Sequence, residues 1–342
     1  MPLLNAVHYV TTRAIGALVT ALILWLVTGD YFISFCQKYL TTGTREYVPA
    51  THKLKGKVPT MGGLWIIAIA IINILLWANL AKPHAWLSIL CLLLFGCIGA
   101  YDDWCKIYAV RGISERGKIL AQLGAAIILL GVWWVVAQPS TEVWFPLFKS
   151  MHPAIGILFI PWVILVIVGT SNAVNLTDGL DGLASGSLAL NFAVFGAIAY
   201  LAGHCELSQY LLIPFAGSAE LAIVAASLLG SVLGFLWFNV YPAQLFMGDV
   251  GSLSLGAMLG FMALMTKQEL LLPLSGILFV AETVSVVLQV ASMRLRGKRI
   301  FRMAPIHHHF ELIGWPETKI TYRLTLLTLI ACAFAIVLLK LR

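Results

Sequence analysis

Only fifteen Asp and Glu side chains occur among the 342 residues, and five aspartates interrupt an otherwise apolar chain: Asp102, Asp103, Asp178, Asp181 and Asp249. Asp102 and Asp103 are adjacent in Ala100-Tyr-Asp-Asp-Trp-Cys-Lys106. Neighbouring carboxylates repel and push one another's pKa up. A residue that merely ends a helix would avoid that cost, so the pair points to chemistry. A second cluster, Asn172-Ala-Val-Asn-Leu-Thr-Asp-Gly-Leu-Asp-Gly182, repeats an amide or acid every three residues at Asn172, Asn175, Asp178 and Asp181. On a helix this spacing keeps them near one face, although Gly179 and Gly182 weaken a regular helix and permit close backbone approach. A third stretch, Trp237 to Ser252, carries Asn239, Phe246 and Asp249. An aspartate there also has the position of a helix N-cap. A fourth, Phe301 to Trp315, contains His307, His308 and His309. Consecutive helical residues splay by about 100°, so the three imidazoles cannot converge on one ion, and hydrogen bonding to phosphate or sugar oxygens is their easier role. Carboxylates gathered beside Lys and Arg suit a divalent ion that in turn holds phosphates. Mg²⁺ prefers a few carboxylates completed by phosphate oxygens and water.

The elements that must position these groups are membrane helices. Hydrophobic residues make up 60% of the chain and charged ones 11%, with a mean hydropathy of +0.93. Soluble domains carry about 25% charged residues, and this chain has too little polar surface to cover a soluble core. Ten apolar runs approach the roughly 20 residues that a spanning helix needs: about 14–34, 61–79, 85–101, 119–137, 155–171, 183–202, 219–238, 250–266, 271–292 and 321–340. The first is too long for a signal-peptide core and has no small-x-small cleavage site after it, so it reads as a span. The runs are too long and uniformly apolar for barrel strands. The expected architecture is all-α and polytopic, one membrane domain over residues 1–342. With ten spans both termini share a side. The odd-to-even connections carry fifteen of the 22 Lys and Arg residues and the opposite side six, which puts the basic connections, and the acids within them, in the cytoplasm and both termini outside. The six cysteines are scattered with no Cys-x-x-Cys pair and read as free thiols. Glu282, inside the ninth span, is costly in lipid and reads as an interhelical hydrogen-bonding group, with Gln289 two turns later reaching the cleft.

Taken together, Lys55, Pro59-Thr-Met-Gly-Gly63, Asp102-Asp103, Asn172 to Gly182, Trp237 to Ser252 and Ala304-Pro-Ile-His-His-His309 resemble the phospho-N-acetylmuramoyl-pentapeptide transferases, within the polyprenyl-phosphate N-acetylhexosamine-1-phosphate transferases. The resemblance runs from about Arg13 to the C-terminus. The Pro-x-His-His-His stretch with Glu311 and Gly314-Trp315 points to the muramoyl-pentapeptide branch. Two positions depart from the family pattern: Lys55-Gly-Lys-Val58 stands for Lys-x-Gly-Thr, which leaves open which lysine reaches substrate, and Trp104-Cys105 follows the aspartates where Tyr-Arg is frequent. The resemblance implies transfer of phospho-N-acetylmuramoyl-pentapeptide from its UDP-sugar to undecaprenyl phosphate, giving UMP and lipid I, by a Mg²⁺-dependent homodimer in the bacterial inner membrane.

On this reading Asp249 is the main Mg²⁺ ligand, with Asp178 as a second. Asn172, Asn175, Asp178, Asp181 and Asn239 bind uridine, diphosphate or the ion's water shell. Lys55, Thr60, Phe246 and Gln289 contact substrate, and His307, His308 and His309 hold phosphate and sugar groups, with His308 among the catalytic residues. Asp102 or Asp103 positions the lipid phosphate. A phosphate monoester, with a second pKa near about 6, is largely dianionic at neutral pH, which favours direct attack over an aspartyl-phosphate intermediate. Three other readings stay open: a sister transferase with another UDP-N-acetylhexosamine, a transporter, and a non-catalytic scaffold. Transporters place polar groups near the midplane, often in internal repeats, whereas these acids gather at one face. UMP release with both substrates excludes the last two.

Overall fold

The computed structural model describes residues 8–40, 58–109 and 112–340. These form α1 (Val10–Tyr39), α2 (Gly62–Trp77), α3 (Pro83–Tyr108), α4 (Glu115–Ala137), α5 (Phe159–Thr177), α6 (Leu183–Ala202), α7 (Cys205–Leu211), α8 (Ala219–Asn239), α9 (Gly248–Met265), α10 (Leu272–Ser275), α11 (Ile277–Arg296), α12 (Ile306–Leu312) and α13 (Glu317–Lys340). The described residues contain no strand beyond one isolated bridge, Glu142 to Ala154, so the all-α reading holds. Nine of the helices are long and apolar enough to cross a membrane. The expected second span, α2, has 16 residues and falls short of that length.

Other boundaries moved for local reasons. The expected ninth span breaks into α10 and α11, because Pro273 starts one short helix and Gly276 ends it; α11 then runs on to Arg296. Span three extends to Tyr108, which places Asp102 and Asp103 inside the last turns of α3 rather than beyond them. Span five extends to Thr177, so Asn172 and Asn175 are helical and Asp178 is the C-cap. Helix α4 opens at Ser114, whose hydroxyl accepts the Gly117 N–H at 3.2 Å, satisfying one of the free donors of the first turn.

Helix α9 is the axis of the bundle. Every residue from Val250 to Met265 is buried, as expected of a helix apolar all round that faces protein rather than solvent. It packs against α3, α5, α2 and α6. Two contacts depend on glycine: a Cβ on Gly63 would stand 2.1 Å from the Gly251 nitrogen, and one on Gly99 would stand 2.3 Å from the Asp249 carbonyl oxygen. Small residues let membrane helices approach this closely. At the opposite end of the bundle Arg13 donates to both Glu220 oxygens at 2.9 and 2.6 Å, and the Asn79 N–H donates to Glu220 at 2.9 Å. This clamp ties α1, the end of α2 and the start of α8 together. A small second core of Leu180, Leu183, Leu278 and Ile320, with Phe310 and Trp315 against it, fastens α12 and α13 beside the 178–182 turn.

Candidate active site

Five connections meet at one end of the bundle. The segment before α2 is pinned to the one before α9: the Phe246 N–H donates to Pro59 O at 2.9 Å, Gly62 N–H to Phe246 O at 2.8 Å and Gly63 N–H to Met247 O at 2.8 Å. Half-buried Thr60 lies between them, its N–H on Leu40 O at 3.3 Å. The 178–182 turn is tied to the α8–α9 connection through Ala243 N–H on Asp181 Oδ2 at 3.0 Å, and to α13 through Asp181 N–H on Glu317 at 2.8 Å. Lys55 lies outside the described residues.

At the centre of this end is a charge cluster drawn from α3, α4, α5 and α9. Lys106 reaches Asp102 at 2.7 Å, Asp249 at 2.8 Å and Asp103 at 3.6 Å. Lys118 pairs with Asp249 and lies 3.3 Å from Asp102. The remaining Asp249 oxygen accepts from Asn175 Nδ2 at 3.0 Å, and the same amide donates to Ser252 Oγ at 2.8 Å. Asp249 sits in the first turn of α9 and caps nothing there, since the N-cap position, Met247, makes no side-chain cap bond. The capping is done from another helix: Asp103 Oδ2 accepts the Val250 N–H at 3.1 Å, where a carboxylate is favoured by the helix dipole. Asp102 Oδ1 accepts the Ile113 N–H at 2.7 Å.

Asp178 stands beside this cluster, half-buried. Desolvation, then the charges of Asp249, Asp103 and Asp181, push its pKa up from 3.8 to about 7. Negative potential at an oxygen donor is what a divalent cation relieves. No three His, Cys, Asp or Glu side chains among the described residues already surround one point as a metal set; ammonium groups bridge the carboxylates instead. The donors are oxygen atoms, which fits a hard cation completed by water and phosphate. The folded protein holds the Asp178 proton more tightly than the unfolded chain, so the contribution of Asp178 to folding stability falls as pH rises from about 4 to about 7 and is flat above that. We expect the melting temperature, measured without divalent cation, to fall over that range. In Asp178→Asn the fall should flatten, with the variant melting above wild type at pH 8. Parallel curves for the two proteins would contradict the assignment.

The three histidines diverge, as consecutive helical residues must. His307 is buried, its Nδ1 3.1 Å from Glu282, and its Nε2 is 2.2 Å from where a Gly179 Cβ would stand. This packs α12 against the 178–182 turn. His308 Nδ1 meets Glu311 at 2.6 Å, and His309 Nδ1 accepts the Arg302 N–H at 3.2 Å. Glu282 Oε2 accepts the His307 backbone N–H at 3.4 Å, the interhelical role expected of it.

Two residues expected at the substrate have protein partners in the structure. Gln289 accepts the N–H groups of Ile300 and Phe301 and donates to Phe301 O, all at 3.0 Å, because the chain after α11 folds back over that helix. Asn239 is buried; it accepts from Gly182 N and Ser185 Oγ and donates to Leu245 O. Both amides hold loops in place. Asn172 bonds Gln122 at 2.6 Å and Val168 O at 2.8 Å, one turn below Asn175. The sequence reading missed Lys106, Lys118 and Ser252. The spacing of Asp102 and Lys106, one helical turn, was a signal for the first; Lys118 and Ser252 join only through the fold.

A family model described as glycosyl transferase family 4 matches residues 85–267, which include every member of the charge cluster. The phospho-N-acetylmuramoyl-pentapeptide-transferase of Desulfotalea psychrophila is 49% identical over 344 residues, covering 99% of this chain and 96% of that protein. Those of Solidesulfovibrio magneticus and Citrifermentans bemidjiense are 45% and 46% identical, with the same coverage.

Proposed function

The chain belongs to glycosyl transferase family 4, in its phospho-N-acetylmuramoyl-pentapeptide-transferase branch, and from that premise we propose how its residues carry the reaction. The enzyme moves phospho-N-acetylmuramoyl-pentapeptide from UDP to undecaprenyl phosphate, forming lipid I and releasing UMP. The observation that carries the mechanism is the meeting of Asp249 with Asn175, Lys106 and Lys118 at one end of a membrane bundle.

A phosphate oxygen of the lipid attacks the β-phosphorus of the UDP-sugar, and the bond from that phosphorus to the UMP oxygen breaks. Two anions must approach, so the work is positioning and charge stabilisation. Asp249, with Asp178 beside it, would hold Mg²⁺, which when bound neutralises diphosphate charge and stabilises the leaving UMP. Asn175 orients Asp249. Asp181 and Glu317 fix the turn that carries Asp178. His308, partly exposed and set by Glu311, faces phosphate or sugar oxygens, and His307 with Glu282 supports it. The engagement of Asp102 by Ile113 and two lysines, and of Asp103 by Val250, supports positioning roles for both. The lipid phosphate, largely dianionic at neutral pH, needs no activating base, so direct attack is the route we adopt. The family resemblance supports a homodimer.

The charge asymmetry of the connections supports a cytoplasmic site with both termini outside. In single-cysteine variants, exposed Cys205 should react with a membrane-impermeant maleimide in intact cells, and half-buried Cys105 only after permeabilisation; the reverse pattern would contradict the orientation. The function is tested with purified protein and undecaprenyl phosphate. Turnover is expected with UDP-N-acetylmuramoyl-pentapeptide and not with UDP-N-acetylglucosamine. Equal or faster turnover of the latter would assign the chain to a sister transferase.

A further inference from the structure

The charge cluster poses a problem for any cation that binds at Asp249. One Asp249 oxygen is shared by Lys106 and Lys118, and the other accepts from Asn175. A divalent cation brought to this carboxylate would stand beside two ammonium groups that repel it, and it could take the oxygen they share only by displacing them. The two ammoniums together carry the charge of one divalent ion, and they lie against three aspartates, Asp102, Asp103 and Asp249. Exchanging one for the other leaves the net charge of the cluster unchanged, and Asp102 keeps the Ile113 N–H. Both lysines are partly exposed, with side chains 23% and 16% accessible, and their flexible stems let the ammonium swing. The nearest demand for released positive charge is the diphosphate of the nucleotide-sugar and the phosphate of the lipid.

We propose that Lys106 and Lys118 yield Asp249 to a divalent cation and turn their ammonium groups to phosphate oxygens of the substrates. This makes them competitors of the metal in the absence of nucleotide and its partners in the presence of one. Metal and diphosphate then bind cooperatively, because a diphosphate that engages the lysines lifts them from the carboxylate. By reciprocity the metal tightens diphosphate binding by the same factor. Neither lysine lies where a core or capping role would need it: Lys118 comes from the first turn of α4 and reaches across to α9, and Lys106 contacts three aspartates rather than one.

The inference rests on the reading that Asp249 holds the metal, and the experiment separates the two. Mn²⁺ binding to the purified full chain is followed by the electron paramagnetic resonance of free Mn²⁺, with and without UDP, for wild type, Lys118→Met and Asp249→Asn; thermal melting checks each fold. Without UDP, Lys118→Met is expected to bind Mn²⁺ about tenfold more tightly than wild type, since a repelling cation has been removed from the carboxylate. UDP is expected to tighten Mn²⁺ binding in wild type and to do so less in Lys118→Met. Asp249→Asn is expected to lose the site. If Asp249→Asn binds Mn²⁺ as wild type does, or wild type binds none, the metal reading fails and the exchange with it. If Asp249→Asn loses binding while Lys118→Met binds Mn²⁺ no more tightly than wild type, the metal reading stands and the exchange is overturned. Should Lys118→Met melt far below wild type, Lys118→Gln, which keeps a polar end, is read in the same way.

Discussion

Asp249→Asn should fold and should lose transferase turnover by on the order of 10³-fold. The exchange conserves size, and the Asn175 bond can still be made to the remaining oxygen. What is lost is the charge at the point where Asn175, Lys106 and Lys118 converge. Electrostatic stabilisation of developing charge is the largest single contribution in reactions of this type, and removing one such group costs about 3–4 kcal/mol, with about 1.4 kcal/mol per factor of ten in rate. Steady-state rates with both substrates saturating read the effect in kcat, while the melting temperature should move by a few degrees at most. A well-folded variant with near-normal kcat would remove Asp249 from the chemistry and with it the reading of the cluster.

Gly99→Ala should be as damaging although no reacting group is touched. Its Cβ would stand 2.3 Å from the Asp249 carbonyl oxygen, 2.4 Å from the carbonyl carbon and 2.5 Å from Val250 Cα. These are backbone atoms of a helix buried from Val250 onward, so neither side can yield by a rotamer change. Helix α3 must move away from α9, and the two carry Asp102, Asp103 and Lys106 on one side and Asp249 on the other. Overpacking of this kind costs about 1–3 kcal/mol and occasionally more; catalysis should suffer further, because a shift of about 1 Å can cost about 10²-fold. Gly124→Ala in α4 is the control: a Cβ there meets nothing within 4 Å, and helix propensity favours Ala by up to about 1 kcal/mol. Equal melting temperatures and rates for the two variants would mean that the α3–α9 approach does not set the geometry of the site.

The membrane architecture was legible because hydrophobic length is a direct requirement of the bilayer. The acids were legible because they are conspicuous in such a chain: Asp102-Asp103, the Asn172 to Asp181 repeat and Asp249 do gather at one end. Less legible was what competes for a side chain once the chain folds back. Gln289 lies on α11 at a spacing that suits the cleft, but the returning segment takes its amide at Ile300 and Phe301. Asn239 is engaged by Gly182 and Ser185 at the start of α6 and by Leu245 of the α8–α9 connection. In the sequence Lys106 and Lys118 are only loop charges that orient the protein, since the tertiary structure alone brings Lys118 to a partner 131 positions away. The break of the ninth span was visible in Pro273 and Gly276 but hidden by an apolar run long enough to span without it.

Transfer of the whole phosphosugar requires cleavage between the two phosphates of the donor. It is tested most directly by following the β-phosphate. Purified enzyme is given UDP-N-acetylmuramoyl-pentapeptide labelled with ³²P at that phosphate, together with undecaprenyl phosphate and Mg²⁺, and the products are partitioned between butanol and water. The label is expected to move into the lipid phase in equal amount to unlabelled UMP in the aqueous phase. Label recovered as UDP, with unlabelled sugar in the lipid, would mean that the sugar alone is transferred and would contradict the mechanism proposed for Asp249 and the residues around it.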